Sequence, residues 1–249
     1  MGMKKFAAAA TLLLVGSGLF AAEFKASENT MDFGSRKLVV QPNGVFKIYS
    51  GSKVIASVQF YLATHYGPGR SNNSLKNPVE KYDGGAFCLT EFKADPATKS
   101  FVSKGIMPFH KKGEKAAPGV WTQTLTMLPG DKVDYKLEVK NPEGFRHRDH
   151  GIFIALPTAD GYIFDYGHTQ LFPEKQPSTR VGKFVTTKTA NPDDALRIET
   201  PTKQLIYANL DKRKTLRLGL HPKVPVVNIH LVFDLGKIGT EPQDKAASK

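Results

Sequence analysis

The sequence predicts an all-β chain, an antiparallel two-sheet β-sandwich of the jelly-roll or super-sandwich type. Three observations carry that prediction. Past the first residues, apolar side chains recur with the period of two that a strand requires and almost nowhere with a helical stripe. Segments of this kind, about a dozen of them, are separated by Gly-, Pro- or Asn-bearing turns at intervals of roughly 8 to 15 residues. The segment Lys132 to Lys140 sets Val133, Tyr135, Leu137 and Val139 against Lys132, Asp134, Lys136, Glu138 and Lys140. A sheet with one face in water is antiparallel rather than parallel. No repeat of fixed period is present, which excludes a propeller or a β-helix.

The chain opens on a targeting signal. Lys4 and Lys5 form a basic start, Phe6 to Val15 is an apolar run, and Ala21 and Ala22 supply small residues for cleavage. That run is shorter than the ~20 apolar residues needed to cross a bilayer. Residues 1–22 are therefore expected to be a signal peptide, and the mature chain to be exported to the periplasm or beyond the cell. No later stretch is long and apolar enough for a membrane helix. Residues 23–237 are expected to form a single sandwich domain and residues 238–249 a polar, disordered tail.

The strands follow in order. Arg36 to Gln41, an Asn43-Gly44 turn and Val45 to Tyr49 form a hairpin. Ser50-Gly51-Ser52 then leads into Lys53 to Ala63, which places Val54, Ala56, Val58, Phe60 and Leu62 on one face and Ser57, Gln59 and Tyr61 on the other. This opening meander resembles in architecture the β-sandwich domains of carbohydrate-active enzymes; no motif accompanies the likeness. His65 to Gly85 is a long Gly-, Asn- and Pro-rich stretch of the kind that overhangs binding sites. Strands resume at Ala86 to Phe92, Ser100 to Ile106 and Val120 to Leu128, with Trp121 near the start of the last. After Lys132 to Lys140, the runs Ile152 to Leu156 and Tyr162 to Phe164 are joined by Thr158-Ala159-Asp160-Gly161, which reads as a hairpin with Gly161 in the turn. Arg180 to Thr187, Ala195 to Glu199, Gln204 to Ala208 and Thr215 to Leu220 are short strands. Val226 to Leu235 closes the set, with an apolar face of Val227, Ile229, Leu231, Phe233 and Leu235 and a mixed second face carrying Asn228, His230 and Asp234. That mixture predicts a central strand whose second face lines a shallow groove.

Composition narrows the function. The formal charge is +12, and loss of Lys4 and Lys5 leaves 12 − 2 = +10. In an exported chain that charge points to acidic polysaccharide or an anionic envelope rather than to nucleic acid. The single cysteine, Cys88, excludes an internal disulfide and sits among apolar neighbours, as a small buried hydrophobe does.

The densest polar cluster flanks the predicted hairpin. Arg146, His147, Arg148, Asp149 and His150 precede it, and Asp165, Tyr166 and His168 follow it. If the hairpin forms, these groups meet at one rim. Asp32-Phe33-Gly34 and His147-Arg148-Asp149 spell kinase strings, but in reversed order and without a phosphate loop, and the kinase reading is rejected. The arginines beside His150 oppose a cation, and no spacing has the specificity of a metal motif, so neither metal nor cofactor is expected. There is no Gly-x-Ser-x-Gly elbow.

These residues support an exported carbohydrate-binding or carbohydrate-processing sandwich for acidic glycans, with binding favoured over catalysis. The ligand contacts are Arg146, His147, Asp149, Asp165, Trp121, Asn228 and His230: polar groups for hydroxyls, and an aromatic ring for a sugar face. The alternative is a polysaccharide lyase. There Arg148 or Arg146 would neutralise a uronate, and His150 or His168 with Tyr166 would serve as base and acid. A third reading, an envelope protein without a small ligand, needs only the positive charge.

Overall fold

The structure is a computed structural model and describes residues 22–41, 44–64, 88–109, 117–140, 147–164, 169–171, 179–181, 183–201, 206–210, 215–220 and 226–236. Its strands run β1 (Glu23–Lys25), β2 (Thr30–Asp32), β3 (Arg36–Val40), β4 (Phe46–Ser50), β5 (Lys53–Thr64), β6 (Cys88–Asp95), β7 (Ser100–Phe109), β8 (Ala117–Leu128) and β9 (Lys132–Lys140). The second half holds β10 (His147–Ala155), β11 (Ala159–Phe164), β12 (Thr169–Leu171), β13 (Thr179–Val181), β14 (Phe184–Thr189), β15 (Arg197–Glu199), β16 (Ile206–Leu210), β17 (Thr215–Leu220) and β18 (Val226–Asp234). All pairings among the described residues are antiparallel. One nine-stranded sheet has the order β1-β2-β3-β4-β5-β10-β17-β16-β13, and the other β12-β11-β14-β15-β18-β9-β8-β7-β6. The antiparallel sandwich read from the sequence is the fold.

The opening meander forms as expected, with one change of phase. Ile48 pairs with Ala56 but Tyr49 pairs with Val54, so Ile55 is the extra residue of a β-bulge. Ile55 and Ala56 are both buried, and Val54 is only half-buried. Strict alternation cannot anticipate an inserted residue. Gly44, ahead of β4, stands at φ +83°, a left-handed conformation that glycine adopts at little cost.

The core lies between the sheets and is joined across the gap by aromatic rings. Phe46 of the first sheet meets Phe233 edge-on at 5.4 Å and Tyr135 at 5.7 Å. Phe60 meets Trp121 at 5.0 Å, and Phe24 meets Phe101 at 4.6 Å. Such rings remove large apolar areas from water and fix the facing of the two sheets. On β9 the buried set is Val133, Tyr135, Leu137 and Val139, the alternation seen in the sequence.

Two polar fasteners also cross the gap. Buried Gln123 donates from Nε2 to the Gly44 carbonyl at 2.6 Å and accepts from the Tyr135 hydroxyl at 3.2 Å. At one end of the sandwich, the 3₁₀ turn Pro192–Asp194 docks onto β3, β4 and β5. Arg36 Nη2 and Ser50 Oγ donate to the Asp193 carbonyl at 2.8 and 3.1 Å, and Lys53 Nζ reaches the Asp194 carboxylate at 2.7 Å. Burial lowers the Arg36 guanidinium below its ordinary value, against the opposing pull of Asp193, Asp234 and Asp194.

Candidate functional site

The predicted rim hairpin does not form. β10 lies between β5 and β17 in the first sheet, whereas β11 lies between β12 and β14 in the second. The chain changes sheets at a corner in which Leu156 and Ala159 are both buried and the Ala159 N–H donates to the Leu156 carbonyl at 3.1 Å. Gly161 is not a turn residue: it belongs to β11 and has no left-handed φ. A short polar loop with glycine serves a hairpin or a sheet-crossing corner equally well, because its composition does not say which sheet receives the next strand. The start of β10 and the end of β11 therefore belong to opposite sheets, about 10 Å apart face to face in a sandwich.

His147, Arg148, Asp149 and His150 open β10, with His147 opposite Thr64, and His150 opposite Leu62 and Leu220. The register shifts between His147 and Asp149. Their side chains, and Arg146, Asp165, Tyr166 and His168 altogether, lie outside the described residues.

Trp121 is corrected. Its side chain is fully buried against Phe60, so it belongs to the core and no sugar face can reach it. Position in the strand explains this: Trp121 sits opposite Val139 and Gly105, on the inward face of β8. Tyr162 is likewise fully buried.

Asn228 and His230 stand where the sequence put them, on the outer face of the middle strand of the second sheet. β18 has four strands on either side. Asn228 is exposed and His230 half-buried. His230 Nε2 lies 2.5 Å from Asp134 Oδ1, and Lys136 Nζ lies 2.7 Å from Asp134 Oδ2. Burial pushes the Asp134 carboxyl up, but the hydrogen bonds from Lys136 and His230 outweigh it and hold the group below the usual carboxylate value. Lys140 pairs with Glu138 at 3.1 Å, and Lys132 with Glu199 at 3.2 Å and Asp234 at 3.9 Å. Arg197 bonds Glu199 at 3.2 Å and lies 3.8 Å over the Phe184 ring. Thr122 and Thr124 of β8 continue the same face, opposite Glu138 and Lys136.

Asp134, Lys136, Glu138 and the threonines escaped the candidate set. Their signal was the outward alternation of β9, which marks a wet face without distinguishing a site from plain surface. Chemically, this face offers fixed carboxylates, ammonium groups, an amide and an imidazole within a few residues of one another. Among the described residues no group of three or more His, Cys, Asp or Glu is arranged to hold a metal ion, and no helix is long and apolar enough to cross a membrane.

No protein-family model matches the chain, and no curated protein matches it. Solved structures do. An α-mannosidase from Enterococcus faecalis V583 superposes with a TM-score of 0.55 at 11% identity, over 84% of this chain and 29% of that one. What is shared is the fold. YeaD from Salmonella typhimurium (TM-score 0.38, 9% identity, 82% of this chain and 92% of that one) and the GalM/aldose epimerase homologue from C. elegans (0.34, 9%, 81% and 98%) superpose too loosely to bear on it. The chain thus spans under a third of the mannosidase it matches.

Proposed function

We propose that this chain is an exported carbohydrate-binding β-sandwich that prefers acidic glycans, and that it binds sugar rather than transforming it. The observation that carries this reading is the outer face around β18, where Asn228, His230, Asp134, Lys136 and Glu138 present donors and acceptors at the middle of a nine-stranded sheet. Ring hydroxyls are both donors and acceptors, and alternating carboxylates, ammonium groups and amides suit them. With Trp121 in the core, this face recognises its ligand by hydrogen bonding rather than by stacking. Two further facts support the reading. The fold is shared with part of an enzyme named for its action on mannosides, and the charge of +10 that remains without Lys4 and Lys5 (12 − 2) favours an anionic polymer.

The test is electrophoresis of the chain lacking residues 1–22 through gels containing polygalacturonate, alginate or a neutral glucan. Retardation by a uronate polymer is expected to persist at about 1 M salt, where the screening length is ~3 Å, and to disappear in Asn228→Ala and His230→Ala. Retardation by no polysaccharide would refute the reading. Equal retardation by every polyanion, lost in salt, would replace it with docking on an anionic envelope.

A further inference from the structure

The outer face of the first sheet brings together residues far apart in the chain. On β10, Ile152 and Ile154 are fully buried, so Gly151 and Phe153 occupy positions on the side away from the core. Residues directly opposite one another in a ladder share a face, and two rows can be followed across the middle of the sheet. One runs Tyr61, Gly151, Gly219, Tyr207 and Arg180, from β5 through β10, β17 and β16 to β13. The next runs Gln59, Phe153, Arg217 and Asn209 over the first four of these strands.

Glycine in a strand interior weakens the strand, and it marks places where a ligand or another backbone comes close. Here two glycines are direct partners on adjacent interior strands, the sixth and seventh of nine. With strands about 4.8 Å apart, the two tyrosine positions that flank them lie about 14 Å apart, over a floor of bare backbone. Phe153, in the next row, is half-buried rather than withdrawn into the core, and so is Gln59 opposite it. The charged positions on this face of the five strands are Arg180, Arg217 and, two residues before Gly151, Asp149, so that 2 − 1 = +1.

We infer that this face is a second sugar site, where one ring of a uronate-bearing chain lies over Gly151 and Gly219 beside Phe153, with Arg217 as the partner of its carboxylate. An aromatic ring offers the apolar surface that one face of a sugar ring matches. The amides of Gln59 and Asn209 supply both donors and acceptors for hydroxyls. A guanidinium meets a carboxylate through two parallel N–H···O bonds, which selects the acidic sugar over the neutral one. The inference rests on the carbohydrate-binding reading and adds to it a stacking site on the other sheet.

The experiment is isothermal titration of the chain with a trimer of galacturonate and with a trimer of galactose at low salt. In about 1 M salt the arginine contact is screened, so the salted gel reports the β18 face and this titration reports the first sheet. Asn228→Ala removes the β18 face from the measurement, and in that variant both trimers should still bind, the acidic one more tightly. Adding Phe153→Ala should weaken both about tenfold, the scale of one lost aromatic contact. Adding Arg217→Gln should weaken the acidic trimer alone by about tenfold, the scale of one charge-assisted hydrogen bond. Gly219→Val, which sets a branched side chain on the floor, should abolish binding of both. The fluorescence of Trp121 reports whether each variant is folded; should Phe153→Ala or Gly219→Val fail that check, Arg217→Gln decides. An Asn228→Ala variant that binds neither trimer, while the parent binds, overturns the inference and leaves carbohydrate binding on the β18 face intact. So does an Arg217→Gln variant with an unchanged preference for the acidic trimer. Binding of neither trimer by the parent chain overturns both.

Discussion

Replacing Gln123 with leucine isolates a polar link between the sheets. Gln123 is 1% exposed, and leucine has nearly its volume, so no cavity is created. What changes is hydrogen bonding: the Gly44 carbonyl loses the Nε2 donor at 2.6 Å, and the fully buried Tyr135 hydroxyl loses its acceptor at 3.2 Å. Burial drives the Tyr135 phenol far above its ordinary value, so it stays protonated and cannot avoid needing an acceptor. Each orphaned buried group costs about 1–3 kcal/mol, and the greater hydrophobicity of leucine returns about 1 kcal/mol. A net loss of about 1–5 kcal/mol follows, or a fall of roughly 2–20 °C in Tm for a domain of this size. Urea unfolding followed by the fluorescence of Trp121, the single tryptophan, reads it directly, since that ring is buried against Phe60. Adding Tyr135→Phe to Gln123→Leu should recover about 1 kcal/mol, because the orphaned hydroxyl is gone. A single variant within about 0.5 kcal/mol of the parent, the range of an ordinary surface change, would refute the reasoning and show that water or a shifted backbone satisfies both groups.

Two further predictions concern the ion pairs. At the docked turn, Lys53 is 59% exposed while its partner Asp194 is 4% exposed; Lys53→Met should therefore cost more, about 1–3 kcal/mol, than Asp194→Asn, which returns a lysine to water for under about 1 kcal/mol. The reverse order in a urea titration would mean that Asp194 reaches solvent once Lys53 is removed. On the outer face, Asp134 has its folded-state pKa held below the unfolded value of about 3.9, so its contribution is present above that value and is lost as pH falls through the lower, folded one. Asp134→Asn should flatten that part of the stability–pH curve, and an unchanged acid limb would count against its ionised role.

Much of the fold was legible because strand alternation is a local property. Lys132 to Lys140 appears as β9 with the buried and exposed sets it advertised, and Val226 to Leu235 appears as β18 at the middle of its sheet. Two strands near the start, Glu23–Lys25 and Thr30–Asp32, and one at Thr169–Leu171, are three residues each, too short to show a period. The run read as one strand from Arg180 to Thr187 is two, β13 and β14, placed in different sheets. The candidate site divides in the same way. Asn228 and His230 were identified because a polar residue on a central strand is conspicuous in sequence. Asp134 was not, because only the pairing of β9 with β18 brings it to the imidazole.

By itself, the sequence determined the class of the fold, the opening meander, the wet and dry faces of β9 and β18, and the positions of many turns. All of these depend on neighbours within a few residues. Tertiary structure alone decided that β10 and β11 belong to opposite sheets, that Trp121 faces Phe60, and that His230 meets Asp134 across 96 positions of chain. The reason is physical: alternation says which side of a strand is apolar, but the same apolar side can be buried from either sheet. Which sheet takes it is settled by the packing of all the strands together.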